Sequence, residues 1–357
     1  MSRRPPAWPP DPALARRRRE ARRRMYRRRR ITVAVTAAVV FSGMGFGVAQ
    51  LLPSGGGTNS LMAAGAPSRA RSGRAGSTTV ITDQAAANTT TSTVPPPPAE
   101  PGGGRRLFPS HRIVALYGSP RDPELGVLGD GSPTRMWGPL QTAARPYAAP
   151  GRRLVLAYEL VAYTAYAAPG PSGDYTARLS DAEIDAYQRV VQAHGGMLIL
   201  DIQPGRSDVL SGVKSLAKWL ALPDVALALD PEWEVAAGEE PGQVLGHTTA
   251  TEINAVGAWL DQLSAARDLP QKLLLVHQWT QDMVIDKGAV RRQPHLAIVF
   301  NMDGYGGPEG KLSVYRMLAR DPRWPLGYKL FYQRDQPLQT PAEVLALHPA
   351  PDIIEYE

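Results

Sequence analysis

The sequence predicts an α/β chain: a (β/α)8 barrel of the TIM type, preceded by one transmembrane helix and a disordered linker. Three observations carry this. Eight short apolar runs recur over about 250 residues after position 104, the span of such a barrel. Segments with helix start signals lie between them. Nearly every run also changes from aliphatic to polar at its C-terminal end, where barrels of this kind build their sites.

Residues 1–30 form a basic tail, with thirteen arginines against Asp11 and Glu20. Residues 31–52 follow with no charge at all. At about 1.5 Å per residue that run can cross the roughly 30 Å apolar layer of a bilayer. Arginine on its N-terminal side places that end in the cytoplasm and the rest of the chain outside. An uncleaved anchor is expected rather than a cleaved signal. The run is long for a signal's apolar stretch, and the nearest small-residue site, at 62–66, lies well beyond it. Residues 53–104 are rich in Gly, Ser, Thr and Pro and read as a linker that cannot bury a core. The tail carries a net charge of +11, the linker +1 and residues 105–357 about −5, against +7 for the whole chain. The basic pI therefore belongs to the tail, and no nucleic-acid partner is expected for the folded part. Without cysteine the chain has no disulfide, thiolate metal site or cysteine nucleophile.

The predicted strands are 112–118, 154–161, 197–203, 225–232, 272–279, 296–303, 328–334 and 352–356. They are continuously apolar rather than alternating, as parallel strands covered on both faces are. Ser180 with Glu183 is a capping-box spacing. Thr251 opens a segment with Ile253, Val256, Trp259, Leu260 and Leu263 on one face. Thr340-Pro341 with Glu343 is a third start signal, and the first helix is placed near 134–144. An open doubly wound sheet is the competing architecture. It would carry a Gly-rich phosphate turn after an early strand, and Tyr117-Gly118-Ser119-Pro120 is not one.

The predicted strand ends supply the candidate site. They are Tyr117, Glu159, Asp201, Gln203, Asp230, Glu232, Trp233, His277, Gln278, Trp279, Asn301, Asp303, Tyr332, Arg334 and Glu355. Carboxylates are costly to bury unless paired or used. Several around one mouth suit glycoside hydrolysis, which needs one protonated and one ionised carboxyl group. In 225–235, strand alternation would point Asp230 and Glu232 the same way. Glu232, beside Trp233, is the expected proton donor, Asp230 its orienting neighbour, and Asp201 then Asp303 the second carboxylate. Tyr117, Trp137, Trp233, Trp279, Tyr305 and Tyr332 are candidate sugar-stacking rings. Tyr305 stands between glycines in 301–307, a pattern of close backbone approach. No HExxH, GxSxG or P-loop pattern is present, and neither a metal nor another cofactor is expected.

Asp230-x-Glu232 ending the fourth strand, with Asn301-Met302-Asp303 ending the sixth, resembles the family 18 chitinases. Those end the corresponding strands in DxDxE and a Met-x-Tyr-Asp-like run. The pair is also similar to the Asp-x-Glu of family 25 muramidases. The resemblance implies a glycosidase-like barrel with Glu232 as proton donor. It covers the barrel plan and two short motifs. Leu227 and Ala228 stand where an upstream acid would be, and no Tyr separates Met302 from Asp303. The expected function is membrane-anchored, extracytoplasmic hydrolysis of cell-envelope or extracellular glycan. Two alternatives are a non-catalytic glycan-binding or scaffolding barrel, and a metal-dependent lyase or phosphodiesterase.

Overall fold

The structure is a computed structural model that describes residues 97–170 and 173–357. The tail, the anchor at 31–52 and the linker as far as 96 lie outside the described residues. Among those described, no helix is long and apolar enough to cross a membrane.

Eight parallel strands close into a barrel. They are β1 His111–Gly118, β2 Arg153–Ala165, β3 Met197–Ile202, β4 Val225–Leu229, β5 Lys272–Gln278, β6 Leu296–Met302, β7 Leu326–Leu330 and β8 Ile353–Tyr356. Each pairs with the next, and β1 closes the ring by pairing Ile113 with both Val155 of β2 and Ile353 of β8. A short strand, Thr176–Arg178, adds antiparallel to β2.

Both faces of each strand are buried, which is why the runs are apolar throughout. The lower interior mixes small and large side chains: Ala115, Ala157, Ala226, Ala228 and Ala297 beside Ile113, Met197, Ile199, Leu273, Leu275 and Val299. Such alternation fills a narrow barrel. Leu107 closes its base, with Phe108 packed alongside. The outward residues, among them Leu198, Leu200, Leu274, Val276 and Phe300, join the larger core beneath the helices.

The helices are α1 Pro133–Ala144, α2 Asp181–Ala193, α3 Val209–Ser215, α4 Ala217–Leu220, α5 Ala250–Ala266, α6 Pro308–Leu318 and α7 Pro341–Leu345. Ser180/Glu183 and Thr340/Glu343 form full capping boxes. For α5 the box is Thr249/Glu252, so the helix starts before Thr251. Each cap contributes about 1 kcal/mol.

Three local departures bear on the site. β4 stops at Leu229, because Pro231 has no N–H for a ladder and Pro231–Trp233 turns into a 3-10 helix. The alternation that would align Asp230 with Glu232 therefore ends before either residue. β7 begins and ends earlier than the 328–334 run, so its polar inward residue is Lys329 rather than Tyr332 or Arg334. No α-helix joins β5 to β6. That connection holds the 3-10 turns Gln281–Met283 and Lys287–Ala289. Between them Val284–Ile285 pairs with Thr248–Thr249. Asp286 has φ 54°, which an α-helix cannot pass through.

Residues 97–104 form a strap at the N-terminal end of the barrel. Gly102, Gly103 and Gly104 all have positive φ. Arg153 at the start of β2 and His111 at the start of β1 both bond Gly103 O, at 2.5 and 3.0 Å. Glu100 is buried there, and burial pushes its carboxyl up to about 8 against the opposing charges of Lys272 and Arg105.

Candidate active site

Above its apolar lower half the barrel interior becomes polar. Tyr117 of β1, Glu159 of β2, Asp201 of β3, His277 of β5, Asn301 of β6, Lys329 of β7 and Glu355 of β8 are all buried. Gln203, Asp230 and Asp303, just past the strand ends, join them. The sequence pattern of aliphatic strands with polar tips is thus the pattern of an inward-facing ring.

Two hydrogen-bonded groups make up the ring. The first runs through Asp201, Tyr117, Gln203 and Asp230. The Tyr117 hydroxyl donates to Asp201 Oδ2 at 3.2 Å. Gln203 Nε2 donates to the Tyr117 oxygen at 3.2 Å and to Asp230 Oδ2 at 3.3 Å. Ala165 N fixes the Gln203 amide by donating to its oxygen at 3.2 Å. Asp201 Oδ1 accepts no hydrogen bond. Burial, then the charges of Asp230 and Glu159, hold the Asp201 carboxyl well above the usual carboxylate range, with Lys329 opposing.

The second group centres on His277. Its Nε2 lies 2.7 Å from Glu159 Oε1, and its Nδ1 lies 3.3 Å from Asn301 Nδ2. An amide nitrogen only donates, so Nδ1 is the acceptor and Nε2 carries the proton given to Glu159. Asn301 Nδ2 also donates to Glu355 Oε2 at 2.5 Å. Gly327 makes this possible, since a Cβ there would overlap the Asn301 side chain. Glu159 and Glu355 approach each other beside His277, with ligand atoms of all three residues within 4.8 Å. Burial pushes Glu159 up to about 7; Glu355 is raised further by burial and by the Glu159 charge.

Lys329 is the ammonium among these acids. It reaches Asp303 at 3.2 Å and Glu357 at 3.0 Å and lies 3.4 Å from the centre of the Tyr117 ring. Burial alone would lower its pKa, but Asp303, Glu357, Glu355 and Glu159 hold it well above the usual lysine value. Strand-end reasoning missed Lys329 because the polar tip of that run was placed at Tyr332 and Arg334. The available signal was a lysine in an otherwise apolar strand, since a charge is buried there only with partners.

The other expected site residues are more dispersed. Glu232 is buried and accepts from Trp279 Nε1 at 2.8 Å. Trp233 packs on Ala165, and Tyr305 packs edge-on against Phe331. Gln278 turns away from His277 toward the outer wall, where its oxygen receives Lys287 Nζ at 2.7 Å. Tyr332 is exposed and stacks on Tyr356 with ring centres 5.0 Å apart, so one ring face stays open to a ligand. Trp137 is corrected as a rim residue. It stacks on His194 and presses on the backbone at Gly196, below β3 at the opposite end of the barrel.

The loops at the C-terminal end are joined across the mouth. Val235 N donates to Gly205 O at 2.9 Å. Arg206 N donates to Asp174 O at 2.8 Å, and its Nε to Glu239 O at 2.6 Å. The Arg206 guanidinium lies 3.8 Å over the Tyr175 ring. Tyr117, Asp201 and Glu159 are all shielded from solvent beneath these loops.

Chemically, the ring brings together carboxyl groups held above their usual range, a resident ammonium and an imidazole. Glu159, His277 and Glu355 each bring a ligand atom within 4.8 Å of the other two and are the residues that could hold a cation. No protein-family model matches the chain, and no curated protein matches it either.

Proposed function

We propose that this barrel is a glycoside-hydrolase-like enzyme that cleaves cell-envelope or extracellular glycan by carboxylate acid–base catalysis. The supporting observation is the Asp201–Tyr117–Gln203–Asp230 bridge, with burial and the Asp230 charge holding the Asp201 carboxyl well above the usual carboxylate range. Asp201 donates its proton to the leaving glycosidic oxygen as the C–O bond breaks. Asp230, kept close by Gln203, steadies the positive charge that develops at the sugar carbon until water adds there and its proton returns to Asp201. The proton-donor role passes from Glu232 to Asp201, because Glu232 accepts the Trp279 N–H as it stands. Glu232 and Asp303 are then supporting carboxylates, Asp303 through its ion pair with Lys329. The open face of Tyr332 is a stacking surface for a sugar ring. In this proposal residues 31–52 anchor the chain in the cell membrane, with the tail cytoplasmic and the barrel extracytoplasmic.

The test is release of sugars from a panel of envelope glycans, followed by mass spectrometry with the full chain. Asp201→Asn is expected to lower turnover by about 10²–10⁴-fold while glycan binding persists. Activity of the parent is expected to fall as pH rises through the raised Asp201 pKa, because an acid catalyst works only while protonated. Unchanged turnover in Asp201→Asn removes it as the acid, and a loss confined to Glu232→Gln returns the role to Glu232. Shielding of the ring favours one second reading, a non-catalytic glycan-binding or scaffolding barrel. Glycan binding by the parent without release of any sugar supports that alternative.

A further inference from the structure

The missing helix between β5 and β6 leaves a cavity of about 220 Å³ on the outer wall, on the far side of β5 from His277. Gln278, Lys287, Met317, Leu318, Arg320 and Asp321 line it. Lys287 is half-buried, with its ammonium 3.6 Å from the centre of the Phe300 ring. Its Nζ donates to Gln278 Oε1, and that amide cannot turn away, because its nitrogen is tied to Thr280 O and Gln281 O at 2.9 and 3.3 Å.

The chain has only six lysines among its forty basic residues. Lys214 and Lys218 are exposed. Lys272, Lys311 and Lys329 are buried and tied to carbonyl oxygens or carboxylates. Among the described residues, Lys287 alone combines a cavity with no carboxylate within ion-pair distance. The groups facing it are few. Asp321 is engaged by Arg323 through contacts of 2.6 to 3.1 Å, and Arg320 adds a second cation at the cavity wall. Burial, with Arg323 adding to it and Asp321 opposing, brings the amine down to about 7.

We propose that this cavity is a second ligand site, in which Lys287 is a nucleophilic amine for short carbonyl compounds that carry a carboxylate, such as 2-oxo acids. The Nζ lone pair adds to the carbonyl carbon, and the resulting carbinolamine loses water to give a Schiff base. The cavity is smaller than a drug-sized pocket and suits only a few heavy atoms. Arg320 at its wall is the partner for the carboxylate. An amine near neutral pKa is about half unprotonated at pH 7, whereas an ordinary lysine is almost entirely protonated.

Glyoxylate with cyanoborohydride, applied to the full chain at pH 7, converts a Schiff base into carboxymethyl-lysine that peptide mass spectrometry locates. Lys287 is expected to react about tenfold or more faster than Lys214 and Lys218, with saturation in glyoxylate and a rate midpoint near pH 7. Arg320→Ala is expected to slow glyoxylate labelling several-fold and leave acetaldehyde labelling unchanged. Equal reaction at Lys287 and Lys214 overturns the proposal, as does a preference for acetaldehyde that Arg320→Ala does not alter.

Discussion

Lys329 shows how much one side chain decides in this interior. It is the ammonium set against Asp303, Glu355 and Glu159, buried with it, and against the half-buried Glu357. Replacing it with methionine keeps the volume and removes the charge, leaving carboxylates to take up protons or water. Breaking a buried pair in this way costs about 3–5 kcal/mol, a fall in melting temperature of roughly 10 °C for a domain of this size. Differential scanning calorimetry of Lys329→Met at pH 7 checks this, and a change of only a degree or two means that the acids are already neutral there. The inward carboxylates Glu159, Asp201, Asp230, Asp303 and Glu355 were legible as polar tips of apolar runs. The hydrogen-bond partners of His277 and Asn301 were not, because they come from four different strands.

At the scale of elements, eight apolar runs were enough to place eight strands, since continuous hydrophobicity is what two-sided burial requires. Their ends were harder to place. Pro231 stops β4 at Leu229, three residues before Glu232, and the 328–334 run is half strand and half turn. The absent helix after β5 was missed because the count assumed one helix per strand. The loops over the mouth are held mainly by backbone groups, with Arg206 as the side chain that ties three of them. Arg206→Ala is expected to raise hydrogen exchange at 173–176 and 234–239 while protection in β3 and β5 stays unchanged. Its cost in global stability is expected to be about 1–2 kcal/mol. Exchange that rises equally in the strands means that Arg206 braces the barrel rather than its lid.

Across the whole molecule, acids with raised pKa set the response to pH. Burial raises Glu100, Glu159, Asp201, Glu234 and Glu355. Above about pH 4.5 these acids hold more protons folded than unfolded, so their contribution falls as pH rises; above about pH 7 the amines of Lys272, Lys287 and Lys311, which burial brings down to about 8, 7 and 8, oppose that fall. Glu183 acts in the opposite sense. Burial tends to raise it, but Arg121 and Ser180 bring it down to about 2, so its contribution is lost only as pH falls below about 4.5. The melting temperature is expected to be higher at pH 5 than at pH 8, and calorimetry across that range gives the sign directly. A rise between pH 5 and 8 means that the interior acids are ionised at both ends.

The strap at 97–104 has a geometric corollary. It joins the barrel at the starts of β1 and β2, at the end opposite the polar ring. Whatever holds the chain ahead of residue 97 therefore grips it by the base. The chain enters the described barrel at its base, and the candidate site lies at the other end of the same strands.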